Sequence, residues 1–126
     1  MMIAAILESG RLERLYTGLS LLVSAAAEGR PARGLVSFGA LAPMLDPDLH
    51  ARAARCEAVT DRETFARSLV ELRTTARALD ECRLWACAAA VELTGASPDA
   101  VAAQLDGVMS TPRFLREVAG ADLVVV

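Results

Sequence analysis

Lysine is absent: all thirteen basic residues are arginine, and against sixteen acids they leave a formal charge of -3, with both signs mixed along the chain. Nucleic-acid binding calls for a basic stripe, usually interleaved with exposed aromatics. Neither is present, and aromatics make up only 4% of residues. No apolar run approaches the roughly 20 residues a membrane-spanning helix needs, because Glu8 and Arg11 interrupt the apolar start. That start lacks a basic leader and a small-residue cleavage site, so Met1 to Leu7 reads as a first strand and a cytoplasmic location is expected. Cysteines number three, with no CxxC pair, and the single histidine, His50, is remote in sequence from Cys82 and Cys87. These counts argue against a disulfide framework, a thioredoxin-type motif and a zinc site, so free thiols and no metal are expected. Glycine loops of the GxGxxG or GxxxxGK type are missing, so no cofactor is implied. The acid cluster of a phospho-acceptor domain is missing as well, since only Glu8 follows the first strand.

What is present is a chain of 126 residues, 54% hydrophobic, enough for one domain with its own core. High apolar content with few aromatics suggests close packing by Ala, Val and Leu and points to oligomerisation. Met2 to Leu7 is a buried parallel strand by its continuous apolar run. From Arg11 to Glu28, Leu12, Leu15, Leu19, Leu22, Val23 and Ala26 form a helical stripe that Gly29 ends. Gly34 to Phe38 is predicted as the second strand. Gly39 to Thr60, broken by Pro43 and Pro47, predicts short helical turns and loop. Thr60-Asp61-Arg62-Glu63 has capping-box form, opening a helix from about Asp61 to Leu79, with Glu63 and Arg67 placed to pair one turn apart.

The third strand is Cys82 to Cys87, followed by a short Ala-rich helix, Ala88 to Thr94, that stops at Gly95. Ser97-Pro98-Asp99 and Ser110-Thr111-Pro112 each start a further helix, with a brief strand over Asp106 to Met109 between them. Asp122 to Val126 closes the chain as a strand. Strands alternating with helices predict a single α/β domain over 1–126, a mostly parallel sheet with helices on both faces.

Two stretches resemble the DsrE/DsrF-like sulfur-relay family of the TusD/DsrE type. The first runs from Glu8-Ser9-Gly10-Arg11-Leu12 through Ala25-Ala26-Ala27-Glu28-Gly29-Arg30 to Phe38: strand, helix ending in an Ala-Gly stretch, and a second strand ending in an aromatic. The second is Trp85-Ala86-Cys87-Ala88-Ala89-Ala90-Val91-Glu92-Leu93-Thr94-Gly95, a strand ending in cysteine, an Ala-rich turn, and a glycine eight residues beyond the cysteine. The resemblance implies a flavodoxin-like fold, Cys87 as the sulfur-carrying residue, related or identical subunits as partners, and donor and acceptor proteins for the sulfur. Peroxiredoxin-like members carry Ser-Met shortly after the cysteine, where this chain has Ala90-Val91, which separates it from that subgroup.

The residues themselves permit the same chemistry. Ligands of open parallel sheets bind outside the carboxyl ends of the strands, where Cys87 is expected to face a cleft. A helix start favours the thiolate, the form that attacks sulfane sulfur. The plainer reading is a small buried apolar residue, as free cysteines often are. Cys82 is excluded as its disulfide partner, since five steps along a strand span roughly 16 Å and bridged α-carbons lie within about 7 Å. A Cys56 to Cys87 pair stays open, with packing the main role expected for Cys56 and Cys82. His50 reads as solvated, and Trp85 as a packing or subunit-contact residue. Two functions follow: a sulfur-relay or persulfide carrier acting through Cys87, or a non-catalytic homo-oligomeric module that binds a small ligand or partner.

Overall fold

The computed structural model describes residues 1–126. Five parallel strands form one sheet: β1 (Ile3–Leu7), β2 (Ala32–Val36), β3 (Cys82–Cys87), β4 (Val108–Met109) and β5 (Asp122–Val125), in the spatial order β4-β3-β2-β1-β5. The sheet is parallel throughout, the α/β layering of a flavodoxin-like domain. The chain steps outward from β1 to β4 and then returns to place β5 on the far side of β1, so the order reverses between β1 and β5. No helix is long and apolar enough to cross a membrane.

Alternation along the strands assigns the two faces. In register, Ala5, Gly34 and Leu84 share one face, while Ile6, Leu35 and Trp85 share the other. Helix α1 (Leu12–Ala27) covers the first face with its buried stripe Leu15, Leu19, Leu22 and Ala26. Gly34 makes that approach possible: a Cβ there would lie 2.5 Å from Leu84 and 3.0 Å from Leu22. Helix α4 (Arg62–Ala78) packs beside α1, as right-handed crossovers in one direction require. The return crossover carries α7 (Thr111–Glu117) to the opposite face, where Phe114 meets Trp85 edge to face at 6.3 Å. Helices therefore cover both faces, but unequally. On the α7 side Leu115, Leu123 and Val125 are 51%, 43% and 56% exposed. One cluster of 29 buried apolar residues forms the core. A fully buried leucine in it, such as Leu19 or Leu69, contributes about 1.5–3 kcal/mol.

Several local expectations are corrected. Strand β2 begins at Ala32 and ends at Val36, two residues earlier than predicted at each end. The Pro31 carbonyl already accepts from Ile3 N–H at 3.0 Å, so pairing starts at once. Phe38 leaves the strand for a 3-10 turn (Phe38–Ala40) with φ of 27°, the only non-glycine residue at positive φ. The N-cap of α4 is Asp61, whose carboxylate accepts from Thr64 N–H at 3.1 Å, so Thr60 forms no capping box. Glu63 pairs with His50 across 3.1 Å instead of with Arg67, because α3 (Leu49–Ala53) lies against α4. The region from Gly39 to Thr60 holds that helix and α2 (Leu41–Leu45), short helical turns as expected.

The core stripe of α4 includes an arginine that hydropathy alone does not place there. Arg73 is 7% exposed, and its guanidinium donates to the carbonyls of Pro43, Met44 and Asp46 at 3.4, 3.2 and 2.6 Å. These carbonyls close the C-terminal end of α2, and the cation satisfies groups that helix geometry leaves unpaired. At the carboxyl edge of the sheet the loops leaving β1 and β2 touch through Gly10 and Gly39. A Cβ on Gly39 would stand 2.7 Å from Gly10 N and 2.9 Å from Glu8 O, inside any tolerable contact.

Candidate functional site

Parallel strands bring everything that follows them to one edge of the sheet. Ser37 follows β2, Cys87 ends β3, and Thr111 opens α7 shortly after β4. The pairings of Val36 with Ala86 and of Cys87 with Met109 set these three side by side. Cys87 is also the N-cap of α5 (Ala88–Thr94), with φ of -64° and ψ of 123°. Its sulfur thus stands near the helix start, where the amides two and three residues on have no partner in the helix, although it forms no capping hydrogen bond to them.

The surroundings of the thiol favour its anion. Burial pushes the Cys87 thiol up; against that act the Ala90 N–H, the Ser37 hydroxyl, the Thr111 hydroxyl and the Ala89 N–H, and the donors prevail, leaving it below the ordinary 9.0. Thr111 Oγ1 lies 4.0 Å from Sγ, within reach of a hydrogen bond to sulfur. The donors come from the end of β2, the start of α7 and the first turn of α5, so no single segment makes the cradle.

Cys87 is not held open as expected. It is 4% exposed, and neither surface cavity is lined by it. Yet the Thr111 side chain against its sulfur is itself solvent-exposed, so the thiol lies one side chain below the surface. A groove of about 290 Å³ flanks the site, lined by Phe38, Leu41, Leu45, Thr94, Ser97 and Ala100 among others. A second cavity, of about 280 Å³, opens between the ends of β1 and β5, where Glu8, Ser9, Arg14 and Val125 meet. That is where the strand order reverses; Cys87 stands two strands away from it.

The other candidates are placed elsewhere. Cys82 is buried at the opposite end of β3, Cys56 lies in the irregular segment beyond α3, and all three cysteines are free, so the Cys56 to Cys87 pair does not form. His50 is an exposed partner of Glu63, and Trp85 packs on Phe114. No group of three or more His, Cys, Asp and Glu side chains is arranged to hold a metal. Sequence reasoning missed Ser37, absorbed into a strand, and Thr111, read only as a helix start. The signal was available in the rule that residues directly after parallel strands share one rim. No protein-family model matches this chain, and no curated protein is significantly similar to it.

Proposed function

We propose that this chain is a cytoplasmic sulfur-relay protein that carries sulfane sulfur on Cys87, working with identical or related subunits and with donor and acceptor proteins. The observation that supports it is the place of Cys87 at the sheet rim and at the head of α5, with the Thr111 hydroxyl 4.0 Å from its sulfur.

In the forward step the Cys87 thiolate attacks the outer sulfur of a donor persulfide, RSSH. A sulfur–sulfur bond forms to Cys87 as the donor's own sulfur–sulfur bond breaks, and its electron pair leaves on RS⁻. There is no net oxidation, and an acceptor thiolate removes the outer sulfur by the same exchange in reverse. The site favours the attacking anion, while its cover of one exposed threonine slows adventitious oxidation.

Intact mass after incubation with a sulfane-sulfur donor tests the reading. Wild type, Cys56→Ser and Cys82→Ser are expected to gain a sulfur atom, and Cys87→Ser to gain none. No adduct on any cysteine would end the carrier reading. A non-catalytic homo-oligomeric module is the second reading, favoured by the thin cover over Leu115, Leu123 and Val125. An oligomer by light scattering together with an inert Cys87 would select it.

A further inference from the structure

Ser37 is 8% exposed, yet its side chain has no hydrogen-bond partner. Its backbone is fully engaged: N–H donates to Leu7 O at 2.8 Å, and its carbonyl accepts from Ala40 N–H at 2.9 Å. It stands at the N-cap of the 3-10 turn, where a serine hydroxyl ordinarily accepts an amide, and it makes no such cap. Ser97 and Ser110, in the same position on α6 (Pro98–Gln104) and α7, do cap, accepting from Ala100 and Arg113 N–H at 3.3 Å each. The Ser37 hydroxyl is thus nearly covered and committed to no hydrogen bond of its own.

What lies beside it is the Cys87 sulfur. The Ser37 hydroxyl is near enough to favour the thiolate without forming the hydrogen bond that Thr111 forms. The left-handed Phe38, next in the chain, is a conformation that must be over-determined by its surroundings. It turns the chain abruptly after Ser37, leaving the serine covered while the Phe38 ring, 48% exposed, lines the neighbouring groove.

We propose that Ser37 is a positioning residue for the outer sulfur of a Cys87 persulfide: its hydroxyl donates to the terminal sulfur while Thr111 remains on the inner one. The inference rests on the carrier reading above. Persulfidation lengthens the side chain by one sulfur–sulfur bond, about 2 Å, and moves the negative charge to the new end. Thr111 is already engaged at the inner sulfur, and Ser37 is the covered hydroxyl still free to answer that charge.

Wild type, Ser37→Ala, Ser37→Thr and Thr111→Val are loaded with glutathione persulfide and freed of donor by gel filtration. Intact mass is then followed with time, and thermal unfolding is recorded for each unloaded variant. Ser37→Ala is expected to load, to be no less stable than wild type because it removes an unpartnered hydroxyl, and to lose its sulfur at least about tenfold faster, the size expected for one hydrogen bond to a charged group. Ser37→Thr should restore retention to within about twofold, since it restores the same hydroxyl. Thr111→Val should raise the pH midpoint of Cys87 alkylation while shortening retention less than Ser37→Ala does. Retention by Ser37→Ala equal to wild type, or a folded Ser37→Thr that fails to rescue, overturns the role of Ser37 and leaves the carrier intact. If wild type takes up no sulfur, the carrier reading itself falls and this inference with it.

Discussion

Cys82 and Cys87 are the first and last residues of the same strand, both are nearly covered at 2% and 4% exposure, and they differ in almost everything else. They point to opposite faces of the sheet. Around Cys82, burial and then the Asp106 carboxylate push the thiol up to about 11, with Arg33 and Arg83 offsetting part of the rise. Asp106 is there for the backbone: it accepts from Leu84 N–H at 2.7 Å and donates its own N–H to Leu84 O at 2.7 Å, completing the edge of β3 ahead of β4. Around Cys87 burial also pushes up, but the nearby amides and hydroxyls outweigh it and hold the thiol below its ordinary value. Burial pushes both thiols up; at Cys82 it is the largest influence and the carboxylate adds to it, whereas at Cys87 the neighbouring amides and hydroxyls outweigh it. Depth of burial and the character of the neighbouring groups together separate the two thiols.

The widest separation is expected in alkylation. At pH 8 the thiolate fractions of the two cysteines should differ by more than about 100-fold, since each pH unit between their pKa values is a factor of ten. Iodoacetamide followed by peptide mass mapping should label Cys87 and leave Cys82 unlabelled until the protein is denatured. Equal labelling in the folded state would erase the contrast.

A second consequence appears in stability against pH. Cys82 is raised from 9.0 to about 11 on folding, so the unfolded chain releases this proton first. Its contribution is therefore complete below pH 9 and is lost as pH rises toward 11, by about 2–3 kcal/mol at most. Denaturant unfolding at pH 8 and pH 11 should show that loss in wild type and a clearly smaller one in Cys82→Ala; identical slopes would mean the thiol is not desolvated as described.

The smallest effect sharpens the comparison most directly. Cys82→Ser puts a hydroxyl into an apolar setting and should cost about 1–3 kcal/mol at pH 7. Cys87→Ser places a strong N-cap residue where Ala89 and Ala90 amides need an acceptor, and should stay within about 1 kcal/mol of wild type or exceed it. The check is urea unfolding of both variants, and a reversed order of stabilities would contradict the cradle.

The layering was legible from the chain because continuous apolar runs such as Met2 to Leu7 and periodic stripes such as Leu12 to Ala26 each have one interpretation once they alternate. Placing Cys87 at the end of a strand and the head of a helix followed from its neighbours alone. Its cover and its donors did not, because Ser37 and Thr111 lie 50 and 24 residues away in sequence and meet it only through sheet order. The boundaries of β2 were misjudged because Phe38 looks like a strand residue, and its left-handed backbone is imposed by the turn it enters. Glu63 was assigned to Arg67 by helix periodicity, while the approach of α3 supplied His50, a tertiary partner that no local rule contains.

The abutting glycines at positions 10 and 39 constrain where the rim residues of the sheet are able to stand. What faces Gly39 is main chain, which has no rotamer to yield, so even a methyl group there would lever the exits of β1 and β2 apart. Ser37, two residues upstream, is consequently indexed to the sheet as a peg is to a rail. Its distance from the strand exits is therefore set by main chain and not by any side chain that could yield.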